Sequence, residues 1–263
     1  MIRSVPVSGG FLDVRVSGSG PLVVLVPSLG RGASDFDALA ADLASAGFRT
    51  AAIEPRGVAG TAPLQGATMD DFAADVAAVI RFLVGADGPA VVVGHALGNR
   101  VARLTATRWP DLVRGVVLLA AGGLVQPAEG AMADLRACFD PNADRDTHLA
   151  AVRRAFFSPG NDPTPWEGGW YPLVALAQGR ANRAMEPEVW WRAGSAPVLV
   201  VQPADDVIAP AANATRLAES IGERATVVTI ADAGHALLPE QPEAVSRVVL
   251  SWLGSFPWSD SGG

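Results

Sequence analysis

Short runs of consecutive apolar residues recur along the chain and alternate with stretches in which apolar residues have helical spacing. The clearest runs cover residues 22–26, 90–93, 116–119 and 198–201. A strand that is covered by helices on both faces is apolar at consecutive positions, because neither of its faces meets water. Strands of this kind alternating with helices predict an α/β fold built on a doubly wound, mostly parallel sheet.

The stretches between the predicted strands carry signals for the start and end of helices. Ser34 is predicted to cap one helix, and Gly47 is predicted to end it. Thr68 and Asp71 form a capping-box-like start to a second helix. The apolar faces of the two helices are formed by Phe36, Leu39 and Leu43, and by Phe72, Val76, Val79 and Leu83.

The segment Gly94-His95-Ala96-Leu97-Gly98 joins the apolar run at 90–93 to a helical stretch that starts at Asn99. A strand, a sharp turn and a helix with this glycine spacing resemble the G-x-S-x-G nucleophile elbow of the α/β-hydrolases. Ala96 stands where that family carries its nucleophilic serine, and a methyl group cannot attack a carbonyl carbon. The segment therefore resembles a hydrolase elbow that has no hydroxyl.

Two later segments resemble the same family, in which the nucleophile, the acid and the histidine follow one another along the chain. Asp206 follows the strand predicted at 198–201 and stands four residues before Pro210, at the position of the catalytic acid, with Asp205 as the alternative. His235 follows a strand predicted at 227–230 and is the candidate base. The resemblance covers roughly residues 10–253 and implies an Asp206–His235 pair.

The resemblance also implies an oxyanion hole made of two backbone N–H groups. One belongs to Leu97, directly after the elbow, and the other to Leu29, in the loop that follows the strand at 22–26. This chain has Pro27-Ser28 where most relatives carry His-Gly. Ser28 is a nearby hydroxyl, but we do not expect it to replace the nucleophile, because the strained elbow presents the attacking atom to the base.

Two arginines lie in loops at the predicted carboxyl ends of strands. Arg31 is a candidate for binding an anionic substrate, with a solvated side chain as the alternative. Arg56 lies in Glu54-Pro55-Arg56-Gly57, which resembles a family turn whose arginine is structural.

The resemblance divides the chain into a core, residues 1–123 and 196–256, and an inserted helical cap, residues 124–195. Residues 257–263 are expected to be a disordered tail. Trp166, Trp170 and Tyr171 lie in a glycine-interrupted part of the cap. We expect these aromatic residues either to line a substrate pocket or to pack the cap against the core.

Composition narrows the classes of partner. The formal net charge of −7 and the lack of a basic stripe argue against nucleic acid. Only three histidines are present, without metal-ligand spacing, and no phosphate-binding loop occurs, so we expect neither a metal nor a cofactor. The single cysteine, the lack of a long apolar segment and abundant Ala, Arg and Gly favour a cytoplasmic, bacterial protein with a small-molecule substrate and no membrane. The oligomeric state stays open.

Two explanations for Ala96 remain: a natural alanine, or a substitution for a serine. Asn99 and Pro27-Ser28 depart from the family pattern as well, which favours a natural alanine. The sequence thus predicts a hydrolase that acts on a small or medium apolar ester, lactone or related carbonyl compound. The alternatives are a general-base enzyme that uses only Asp206 and His235, and a ligand-binding protein without catalysis.

Overall fold

The computed structural model describes residues 1–58, 60–84 and 88–258. Eight strands form one sheet in the order β1-β2-β4-β3-β5-β6-β7-β8. Their bounds are Ile2–Val7 (β1), Gly10–Ser17 (β2), Leu22–Val26 (β3), Arg49–Ile53 (β4), Ala90–His95 (β5), Val113–Leu119 (β6), Val198–Pro203 (β7) and Ala225–Ile230 (β8).

Nine α-helices lie in the same described ranges. Their bounds are Asp37–Ser45 (α1), Met69–Val84 (α2), Leu97–Arg108 (α3), Ala131–Ala137 (α4), Arg145–Phe156 (α5), Pro172–Arg183 (α6), Ala212–Ile221 (α7), Leu237–Glu240 (α8) and Pro242–Leu253 (α9). None of the helices in the described ranges is long and apolar enough to cross a membrane.

Strands β3 to β8 pair in parallel, whereas β1 pairs with β2 and β2 with β4 in antiparallel fashion. The parallel strands therefore end at one common edge of the sheet. The loops that follow β3, β5, β7 and β8 meet there, and they carry the residues that the sequence analysis selected. Ligands of open α/β sheets bind at this carboxyl edge.

The core lies on both faces of the sheet. In β5, Val92 packs in the layer that contains α2 and α3, while its neighbours Val91 and Val93 pack in the layer that contains α1 and α9. All three side chains are fully buried. Because each face of the strand is covered, polar and apolar residues do not alternate, and the predicted doubly wound architecture is confirmed.

The helix signals gave one correct and one wrong prediction. Thr68 and Asp71 form the reciprocal capping box: the Thr68 N–H donates to Asp71 Oδ2 over 2.8 Å, and the Asp71 N–H donates to Thr68 Oγ1 over 3.2 Å. Ser34, however, does not cap a helix. It lies inside a 3₁₀ turn, Ala33–Phe36, whose first N–H donates to the Glu54 carboxylate.

Between β6 and β7 the chain forms α4, α5, α6 and two short 3₁₀ turns. The division into core and cap stays a prediction. Within the segment expected to be a disordered tail, Trp258 packs edge-on against Phe48 and donates its indole N–H to the Leu253 carbonyl over 2.8 Å. The rest of the predicted tail, 259–263, lies outside the described residues.

Candidate active site

The turn between β5 and α3 is sharp and strained. Ala96 has φ +49° and ψ −107°, a backbone conformation that residues other than glycine rarely adopt. A Cβ atom at Gly94 would overlap the backbone of Gly98, and one at Gly98 would lie 2.7 Å from the Pro27 carbonyl oxygen. Both positions therefore require glycine, because the backbone of another segment lies too close for a side chain. At Gly98, this close contact also holds the start of α3 against the loop that follows β3.

Asp206 and His235 form a buried pair at the carboxyl edge of the sheet. His235 Nδ1 lies 3.0 and 2.9 Å from the two carboxylate oxygens of Asp206. Asp206 Oδ1 also accepts the backbone N–H groups of Ile208 and Ala209, over 2.9 and 2.7 Å. These two hydrogen bonds hold the carboxylate in place independently of the imidazole. It selects the tautomer that carries its proton on Nδ1, which leaves Nε2 unprotonated.

Asp205, the alternative acid, takes a different partner. Its Oδ2 accepts the hydroxyl of Ser158 over 2.7 Å. Ser158 also donates its backbone N–H to Glu240 Oε1, and Gly234 donates to Glu240 Oε2, over 2.7 and 2.8 Å. Burial raises the pKa of the Glu240 carboxyl. Sequence reasoning missed Ser158 and Glu240, which join the loop carrying His235 to the end of α5.

His95 lies beneath this pair and is fully buried. Its Nε2 atom is 2.8 Å from the His235 carbonyl oxygen, so that nitrogen carries the proton and donates it. Nδ1 has no hydrogen-bond partner among the described residues. Burial, reinforced by the neighbouring His235, lowers the pKa of His95 to about 3. His95 is therefore a neutral support for the backbone of His235.

The two expected oxyanion donors are unpaired within the described chain: the N–H groups of Leu29 and Leu97 make no hydrogen bond there. Their neighbours, in contrast, are fixed. Gly30 donates its N–H to Gln178 Oε1 over 2.8 Å, and the Arg31 N–H donates to the Ser28 carbonyl over 3.2 Å. The loop after β3 is thus held by α6 while the Leu29 N–H stays available.

The structure corrects the expectations for Arg31. This side chain is buried, not solvated. It forms a bidentate ion pair with Asp35, at 2.6 and 2.9 Å, and donates to the Gly168 carbonyl over 2.8 Å. Its guanidinium lies 4.4 and 4.5 Å from the ring centroids of Trp166 and Trp170. Arg31 thus joins the loop after β3 to the 124–195 segment and is not the free cation that substrate binding requires.

The predicted aromatic residues of this segment differ in how they relate to the candidate site. Trp166 is edge-on to His95, with ring centroids 5.8 Å apart, and Phe156 packs against both Trp166 and His235. The Tyr171 N–H donates to the Gly30 carbonyl over 2.9 Å. Their predicted contact with a cavity above Ala96 stays a prediction.

A cavity of about 40 Å³ lies on the α2 and α3 side of the loop after β3. Its lining includes Pro27, Leu97 and Gln178, and the buried ion pair of Arg56 and Asp75, but not Trp166, Trp170 or Tyr171. Arg56 donates to both Asp75 oxygens over 2.6 Å. Arg56 is therefore structural, as its turn predicted.

Within the described ranges, no three His, Cys, Asp or Glu side chains are placed to hold a metal ion. The chemical groups at the carboxyl edge are thus an unprotonated imidazole nitrogen oriented by a carboxylate, and two unpaired backbone donors. Together they can take up a proton and stabilise a developing oxyanion.

Comparison with known proteins identifies the family of the chain. Residues 23–248 match the model of the alpha/beta hydrolase family. The chain is 28% identical to 2-(acetamidomethylene)succinate hydrolase of Mesorhizobium japonicum, over 95% of this chain and 94% of that protein. Its fold is similar to that of Rv0554 from Mycobacterium tuberculosis, with a TM-score of 0.79 and 25% identity over 96% of this chain and 99% of that one.

The crystal structure of E-2-(acetamidomethylene)succinate hydrolase is also similar, with a TM-score of 0.72, 25% identity and coverage of 97% of this chain and 99% of that chain. The family match spans most of the sequence, and it includes the segments that carry Ala96, Asp206 and His235. The chain therefore belongs to the α/β-hydrolase family.

Proposed function

We propose that this protein hydrolyses an ester, lactone or related carbonyl compound of small to medium size by general-base catalysis, without a covalent intermediate. One observation carries the proposal: a buried, oriented Asp206–His235 pair stands at the carboxyl edge while the family's nucleophile position holds Ala96. His235 Nε2 makes no hydrogen bond to any part of the chain that the structure describes, so it is free to accept a proton.

In the proposed reaction, His235 Nε2 removes a proton from a water molecule as the water oxygen bonds to the carbonyl carbon. The carbonyl oxygen becomes an oxyanion, and the N–H groups of Leu29 and Leu97 stabilise it. As the oxyanion collapses, the carbon–oxygen bond to the leaving group breaks, and the imidazolium returns its proton to the departing alkoxide. Asp206 stabilises the imidazolium throughout.

The rate enhancement expected from these groups is sufficient for reactive carbonyl compounds. A positioned general base contributes roughly 10²–10⁴-fold, and the loss of one oxyanion donor costs about 3–4 kcal/mol in a hydrolase. The Mesorhizobium japonicum relative is named a hydrolase, which supports a hydrolytic reaction. Direct proton abstraction from a substrate carbon is the second candidate, because an unpaired imidazole nitrogen at a hydroxyl-free turn serves it equally well.

The test is a hydrolysis assay with short p-nitrophenyl esters and lactones, combined with intact-protein mass spectrometry. The wild-type protein is expected to turn over without a burst and without an acyl adduct. His235→Ala should lower kcat roughly 10²–10⁴-fold. Ala96→Ser supplies a hydroxyl at the nucleophile position and should produce a burst and an acylated protein.

Three outcomes separate the alternatives. An acyl adduct on the wild-type protein would contradict the non-covalent mechanism. Exchange of a substrate C–H for deuterium that requires His235, without hydrolysis, would favour proton transfer. Binding without turnover, unchanged in His235→Ala and Ala96→Ser, would favour a ligand-binding protein.

A further inference from the structure

Two arginines on α3, the helix that follows Ala96, have no acidic partner among the described residues. Arg100 and Arg103 are neighbours on one side of the helix, and α3 itself contains no Asp or Glu. No carboxylate of the described residues comes within 4 Å of either guanidinium, whereas the other buried arginines, Arg31 and Arg56, each pair with one. Arg100 also lies in the first turn of α3, where the helix dipole adds positive potential.

Arg103 is fully buried between hydrogen-bond acceptors and aromatic rings. Its Nη2 donates to Asn99 Oδ1 and to the Gly122 carbonyl, over 2.6 and 2.8 Å. Its guanidinium lies 4.4 and 5.0 Å from the ring centroids of Trp190 and Trp191. Burial, with Arg100 nearby, lowers the pKa of Arg103 well below its usual range.

Two buried polar atoms of this cluster have no partner among the described residues: Arg103 Nη1 and Trp190 Nε1. Both are hydrogen-bond donors, and the Trp190 ring also lies 5.3 Å from the guanidinium of Arg100. Buried donors are normally paired, and charged donors most of all. A ligand group that is negatively charged and offers only hydrogen-bond acceptors would pair with these donors.

Arg100 links the cluster to the carboxyl edge of the sheet. It is only partly buried, and its Nη1 donates to Asn182 Oδ1 at the end of α6 over 2.8 Å. A Cβ atom at Gly122 would touch both Arg100 Nη2, at 3.5 Å, and the Ala209 side chain, at 3.6 Å. Ala209 is the residue whose N–H holds Asp206. Arg100 also stands four residues after Ala96, the N-cap of α3.

We propose that Arg100, supported by Arg103 and Trp190, binds a carboxylate group of the substrate that the Asp206–His235 pair processes. The inference rests on the proposed function and adds a carboxylate group to its substrate. A carboxylate fits because its two oxygens lie in one plane and match the planar fork of a guanidinium. Arg31 cannot take this role, since Asp35 already neutralises it.

The test is direct binding, measured by isothermal titration calorimetry with succinate, its neutral diamide and inorganic phosphate. The wild-type protein should bind succinate and not succinamide. Arg100→Met should weaken succinate binding roughly ten- to hundredfold, since a charge-assisted hydrogen bond is lost. Arg100→Lys keeps the charge without the planar fork and should give a smaller loss. Arg108→Met is the matched control, because Arg108 lies on the same helix but pairs with Asp70 at the surface.

The readout does not depend on turnover. A wild-type protein that binds succinate in an Arg100-dependent way but hydrolyses nothing contradicts the proposed function and keeps the site. Equal affinity in the wild-type protein, Arg100→Met and Arg108→Met would overturn the site. The absence of succinate binding would overturn the site as well. Tighter binding of phosphate than of succinate would overturn the assignment of the site to a carboxylate.

Discussion

Acid should destabilise this protein partly through one buried histidine. In the unfolded chain His95 has the ordinary pKa of 6.5, whereas in the folded protein burial lowers the pKa to about 3. Above pH 6.5 the side chain is neutral in both states. As the pH falls below 6.5, His95 binds a proton in the unfolded chain but not in the folded protein. The free energy of unfolding therefore decreases until about pH 3.

The magnitude follows from the two pKa values. Each unit of pKa difference is worth about 1.4 kcal/mol, and between pH 7 and pH 4 the linkage relation gives a loss of about 3 kcal/mol from His95 alone. In His95→Gln this contribution is absent, while the amide N–H still reaches the His235 carbonyl. The wild-type protein should therefore lose about 3 kcal/mol more than His95→Gln over that range.

Urea denaturation of both proteins between pH 7 and pH 4 measures this difference, because the titration of other groups is common to both and cancels. His95→Asn is the control. Its shorter amide loses the hydrogen bond at every pH, which costs about 1 kcal/mol, but its dependence on pH should match that of His95→Gln. A constant free-energy difference between the wild-type protein and His95→Gln across the range would refute the reasoning.

Three further changes test other parts of the structure. Asp206→Asn removes the carboxylate that orients the histidine and should lower kcat of the proposed hydrolysis by ~10⁴, as such a change does in serine proteases, whereas Asp205→Asn should have little effect on kcat. Arg56→Met leaves Asp75 buried without its partner and should cost about 3–5 kcal/mol in urea denaturation, most of which Arg56→Met with Asp75→Leu should restore. Gly98→Ala forces backbone atoms apart and should cost about 3 kcal/mol in the same assay or prevent folding.

The sequence predicted those features that depend on neighbouring residues or on chain order. The strand at 90–93 was recognisable because both of its faces are buried. The pairing of Asp206 with His235 followed from the order of the segments, since parallel strands deliver their following loops to one edge. The capping box of Thr68 also needed only local information.

Features that depend on contacts between distant segments were not predictable. Arg31 was expected to bind an anionic substrate or to be solvated, yet Gly168 and two tryptophans from the 124–195 segment contact it. Only Asp35, four residues later, gave a local sign of its ion pair. Arg103 meets Trp190 across 87 positions of sequence, which no spacing pattern encodes. For this cluster, the available signal was the lack of any acidic residue on α3.

The strained turn at Ala96 has a consequence for how this chain can change over generations. The positive φ and the glycine contacts are fixed by backbone approach and do not depend on which side chain sits at the tip. An alanine codon becomes a serine codon by one base change, from GCN to TCN. A single mutation can thus add or remove a nucleophile while the rest of the protein stays folded, so covalent and non-covalent catalysts are immediate neighbours in sequence space.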